Sequence, residues 1–179
     1  MTSLFTITKC AIIDMNFEKL NAKDICRHLF KRASELLMKY NKLNPVVFLL
    51  TTDTCYILDV SSFMRDTNSK EMLIFLLKRM IKDIPLIGIA FAMECWIRDA
   101  TKEEIHTQPV AAYPDKREAI IVQCEWHDAT QFMITAEFTT ELNDANQSFI
   151  KISEVKETQW FEGRFSNILA LSYKNTMYN

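Results

Sequence analysis

The sequence predicts an α+β domain: a mostly antiparallel sheet of five to seven strands, with two long helices packed on one face. Three observations predict it. Two stretches, 22–43 and 69–83, repeat their apolar residues at helical spacing. From residue 84 onward, short β-prone runs follow one another with turn residues between them. No linker, repeat or low-complexity tract divides the chain, so residues 1–179 are expected to form a single globular domain.

The elements follow in order. Residues 4–13 are β-prone and predict a first strand. Asn21 is the expected N-cap of the first helix, with Asp24 in the first turn. Ile25, Cys26, Leu29, Phe30, Ala33, Leu36, Leu37, Tyr40 and Leu43 fall on one side of that helix. Lys23, Arg27, His28, Lys31, Arg32, Glu35, Lys39 and Lys42 fill the other. Asn44-Pro45 ends the helix, because proline disfavours helical backbone in the residue before it. Residues 46–51 and 55–60 read as a hairpin about Asp53. The second helix, 69–83, is expected to be capped by Ser69 or Thr67 and is apolar over more than half its circumference, with Phe75 intruding on the charged side.

Pro85 breaks that helix and leads into the central strand, 84–98. Alternation puts Ile87, Ile89, Phe91, Met93, Cys95 and Ile97 on one face and Gly88, Ala90, Ala92, Glu94, Trp96 and Arg98 on the other. The second face is small first and polar later. A helix should pack closely over Ala90 and Ala92, and the strand should emerge at Glu94. Residues 99–115 make a long connection, 116–127 and 131–140 a hairpin about Asp128-Ala129, and 148–155 a further strand. A short helix is expected within 160–173.

Composition bounds the function. Apolar residues at 49% and charged residues at 25% are globular values. No apolar run approaches a membrane span and no secretory signal is visible, so a cytoplasmic location with no membrane partner is expected. The five cysteines lie apart, in apolar runs, and read as core thiols. Only Gly88 and Gly163 are glycines, which excludes the clustered glycines of a phosphate-cradling loop. No cofactor is expected. Residues 1–85 hold 13 basic against 9 acidic side chains, and residues 86–179 hold 8 against 14. A net +4 beside a net −6 describes a polarised surface that could pair with a protein partner or with a second copy, as a homodimer.

Candidate chemistry centres on Glu94. Glu94, His106 and Glu118 are the low-ranked catalytic candidates, and would serve a metal-dependent hydrolase. Asp115 and Glu125 stand at opposite ends of one strand, ~33 Å apart at the usual rise, too far to share an ion. The three histidines show no metal-ligand spacing, so no metal site is expected. Across an antiparallel ladder, Glu94 is expected to pair with Arg117 as a register-setting ion pair. Trp96, Arg98 and Arg117 are candidate binding residues. Lys31 and Arg32 head a basic helix face that could follow phosphates, although Asp24 and Glu35 dilute it and aromatics do not interleave it, which disfavours nucleic acid.

The stretch Ala90-Phe91-Ala92-Met93-Glu94-Cys95-Trp96, a long connection, and then Pro114-Asp115-Lys116-Arg117-Glu118 resembles a group of small bacterial and phage proteins of unknown activity. These carry a strand-borne E-x-W followed by a P-D-R/K-x-E segment. The resemblance covers roughly residues 88–123 and implies a bacterial, phage or mobile-element setting. The order helix, two strands, helix, three strands also occurs in profilin-like and roadblock-like interaction domains. The expected function is therefore a non-catalytic protein-binding or assembly protein, with the hydrolase and the nucleic-acid binder as alternatives.

Overall fold

The computed structural model describes residues 7–10, 21–99, 110–159 and 168. Seven strands form one sheet: β1 (Ile7–Cys10), β2 (Val46–Leu50), β3 (Cys55–Asp59), β4 (Gly88–Ile97), β5 (Arg117–Trp126), β6 (Gln131–Leu142) and β7 (Ser148–Thr158). Their order is β1-β3-β2-β4-β5-β6-β7, and every ladder is antiparallel. Two helices accompany it, α1 (Ala22–Tyr40) and α2 (Thr67–Ile81). The α+β class and the antiparallel sheet are as the sequence predicts.

Helix α1 starts where expected: the Asn21 side chain accepts the Asp24 N–H at 3.0 Å. It ends earlier than Pro45 demands, because Asn41 takes up left-handed backbone (φ 54°) and its N–H returns to the Leu37 carbonyl. Helix α2 begins two residues before the expected start. Its cap is Asp66, not Ser69 or Thr67, and the Asp66 carboxylate accepts both the N–H and the hydroxyl of Ser69. These bonds hold the Asp66 carboxyl below its usual range.

The helices lie on opposite faces of the sheet, a correction to the expectation that they share one. Ile25, Cys26, Leu29, Phe30, Ala33 and Leu37 of α1 pack with Ala90, Ala92, Ile120, Val122 and Cys124. Leu73, Leu77 and Ile81 of α2 pack with Val47, Leu49, Leu58, Ile89 and Phe91. Alternation along β4 thus feeds two cores, with Ala90 and Ala92 beneath α1 as predicted. The topology requires this arrangement. The β1–α1–β2 and β3–α2–β4 crossovers move the same way across the sheet from strands of opposite direction, and right-handed crossovers then put their helices on opposite sides.

Gly88 is needed for a close approach. A Cβ there would stand 2.5 Å from two ring carbons of Trp126, its partner in the β4–β5 ladder. The β5–β6 hairpin turns at Ala129 (φ 65°), where the Asp128 carboxylate accepts the Thr130 N–H at 2.9 Å. Cys26, Cys55 and Cys124 are buried thiols, and burial pushes the Cys95 thiol up to about 11. No described helix is long and apolar enough to cross a membrane. The connection 100–109 and the expected helix within 160–173 lie outside the described residues, apart from Ile168.

Candidate functional site

The polar end of β4 is where the predicted site residues gather. The β4–β5 register sets Glu94 opposite Ile120, Trp96 opposite Glu118 and Ile97 opposite Arg117. Glu94, Trp96 and Glu118 therefore share the α1 face, and Arg117 points to the other.

Glu94 does not pair with Arg117. One carboxylate oxygen instead accepts the backbone N–H of Leu43, in the segment between α1 and β2. The reason is register: β2 begins opposite Ala92, so the chain just before it runs past Glu94. Glu94 is exposed, while the Leu43 side chain it anchors is buried in the α1 core. Arg117 makes its ion pairs on the opposite face, with Asp99 at 2.9 Å and Glu137 at 3.1 Å. The Arg117 guanidinium thus ties the end of β4 to β6, bridging the strand that carries it.

Trp96 is 44% exposed at the edge of this site. The Lys116 ammonium sits 5.0 Å from its ring centroid and donates a hydrogen bond to the Ala111 carbonyl, which fixes the cation over the ring. Two residues on, the Arg98 guanidinium stacks 3.6 Å from the Tyr113 ring centroid and lies 3.5 Å from the Asp115 carboxylate. Asp115 is thereby part of a turn that holds Arg98, before β5 begins. On the α1 side of Glu94 the surface continues as a groove of about 370 Å³ lined by Leu36, Tyr40, Lys42, Leu43, Asn44 and Val46. Leu36 and Tyr40 are 47% and 61% exposed. The site is therefore an aromatic and aliphatic strip with fixed cations beside it.

His106 lies outside the described residues. Glu118 is exposed beside Trp96. Among the described residues no group of three His, Cys, Asp or Glu side chains is placed to hold a metal ion. Lys31 and Arg32 are exposed on α1; Arg32 lies one turn before Leu36 and is bonded to Glu35 at 3.1 Å. On the same helix Arg27 grips Glu157 of β7 through two bonds of 2.7 and 2.8 Å. That bidentate contact raises the Arg27 guanidinium and lowers the Glu157 carboxyl from their ordinary values.

Two features escaped the sequence reading. Tyr113 and Lys116 complete the aromatic–cation pairs, yet nothing in their spacing announces it. Glu125, at the far end of the strand from Asp115, is 2% exposed and accepts the Ile168 N–H at 2.7 Å. Its position two residues after Gln123 on an otherwise apolar strand was the available signal. No protein-family model, curated protein or solved structure matches the chain.

Proposed function

We propose that the protein is a binding or assembly module whose partner is a protein docking on the strip formed by Leu36, Tyr40 and Trp96. The observation that carries this reading is the exposure of Trp96 in a held orientation. A large apolar ring at the surface costs hydration unless something covers it. Tryptophan, tyrosine and arginine also dominate the energetic centres of protein interfaces. Here Lys116 pins the indole and Tyr113 pins Arg98, so little side-chain freedom remains to be lost on binding. Glu94 supports the strip from beneath by fixing the chain at Leu43.

The test is recovery of a cross-linked partner from the native host with the wild-type chain, Trp96→Asp and Tyr40→Asp. The reading expects one partner whose recovery falls at least about tenfold with either substitution while the melting temperature holds. Equal recovery from all three proteins, or none from the wild type, would refute it.

A further inference from the structure

Helix α2 buries one side and turns a mixed apolar and basic side outward. Leu73, Leu77 and Ile81 are in the core. Opposite them Met72 and Phe75 are 53% and 60% exposed, three residues apart, and the exposed Arg79 and Lys82 continue the same stripe. Beside Phe75 the surface opens into a groove of about 460 Å³ lined by Phe75, Lys78, Arg79, Lys82 and Asp83.

Three cations in this groove face one carboxylate. Elsewhere in the molecule Arg27, Arg32, Arg98 and Arg117 each hold a carboxylate. Among the described residues Lys78, Arg79 and Lys82 are in no ion pair. Glu71, the other carboxylate on the outer side of α2, stands beside Met72, about 10 Å along the helix axis from Lys78. Cations in the last turn of a helix complement its dipole, which accounts for Lys78 and Arg79. The dipole does not call for an exposed phenylalanine among them. Whatever covers Phe75 also strips water from the cations beside it, and they then need carboxylates in place of that water.

We propose that the outer side of α2 docks a short acidic amphipathic segment of a protein partner. An apolar side chain of the segment sits between Met72 and Phe75, and its carboxylates meet Lys78, Arg79 and Lys82. A neutral apolar segment would desolvate these cations without replacing their water. A basic one would meet like charge. The segment is short because the positive excess is local: screening confines it to about 10 Å, and the whole chain carries −2. Nucleic acid or an anionic lipid surface would extend past the groove onto a molecule whose net charge repels it. The contact lies on the face opposite Trp96, so it stands or falls separately from the Trp96 reading.

Fluorescence anisotropy with two labelled helical peptides tests it. Both carry the same leucine face, one flanked by glutamates and the other by lysines. The wild type is expected to bind the glutamate peptide at least about tenfold tighter than the lysine peptide, and to lose most of that margin in high salt. Arg79→Glu combined with Lys82→Glu should invert the preference. Arg79→Gln combined with Lys82→Gln adds no new charge and should erase the margin without inverting it. Phe75→Ser should weaken the glutamate peptide several-fold, and Trp96→Asp should leave it unchanged. The substituted α2 positions are exposed, and unchanged circular dichroism and melting temperature show that each variant folds. No binding of the glutamate peptide, equal binding of the two peptides, or a preference that survives the double reversal would each overturn the proposal. So would tighter binding of single-stranded DNA or of phosphatidylserine vesicles, or loss of the glutamate peptide on Trp96→Asp, which would assign it to the other face.

Discussion

Replacing Glu94 separates a structural carboxylate from a chemical one. Its carboxylate accepts the Leu43 N–H, and Leu43 is 6% exposed within the α1 core. Glu94→Ala removes the acceptor from a partly buried donor, and an unsatisfied donor of this kind costs about 1–3 kcal/mol. Glu94 itself is exposed, so water can reach part of the site, and the lower half of that range, about 1–2 kcal/mol, applies. For a chain of this size each kcal/mol moves the melting temperature by about 2–4 °C, so a fall of roughly 2–8 °C is expected. Glu94→Gln keeps an oxygen in the same place and should lose less than about 1 kcal/mol. Urea unfolding followed by circular dichroism reads both values, and the slope with denaturant should be unchanged. A glutamine variant as unstable as the alanine variant would refute the reasoning, since charge and not the acceptor would then be what Leu43 requires. So would two variants as stable as the wild type.

Gly88→Ala should destabilise despite removing a glycine from a strand. The new Cβ meets the Trp126 ring at 2.5 Å, and overpacking of this kind costs about 1–3 kcal/mol against about 0.4–1 kcal/mol gained from a stiffer unfolded chain; chemical unfolding that showed a gain would contradict the packing. The Arg27–Glu157 pair should confer pH-dependent stability. Glu157 titrates below its ordinary value chiefly because Arg27 hydrogen-bonds it, so its contribution is present above the usual glutamate range and is lost as pH falls through the depressed folded value. The stability gap between wild type and Arg27→Gln, measured by urea midpoints, should therefore close in acid; a gap constant with pH would exclude this origin.

Local rules carried the element boundaries, and long-range order was hidden from them. Asn21 was legible as a cap because its side chain acts on the next turn, and the Ala90–Ala92 seat was legible because strand alternation is local. Asp66 and not Ser69 or Thr67 caps α2, because its carboxylate, three residues before Ser69, is the stronger acceptor for a first-turn N–H. The opposite placement of the helices follows from sheet order, which no local pattern states. One hint was present: residues 88–92 are apolar on both faces of the strand and are buried on both, which demands cover from two sides. Glu94 meets the Leu43 N–H and not the expected Arg117. The antiparallel register brought Arg117 near in sequence terms, yet its odd position against the even Glu94 sent it through the sheet to Asp99 and Glu137.

The described edges of the sheet offer little to an added strand. Among the described residues edge strand β1 spans four, too few to template a long pairing. Edge strand β7 is longer, but its ladder with β6 slips between Ala136 and Phe138, and the resulting bulge turns its side chains from one face to the other partway along. Lys151, Glu154, Lys156 and Glu157 add charge to the same strand. A partner strand laid along β7 would lose register at the bulge and meet mixed charge on either side of it. The exposed apolar side chains lie instead on the two faces: Leu36, Tyr40 and Trp96 on one, Met72, Phe75 and Phe149 on the other.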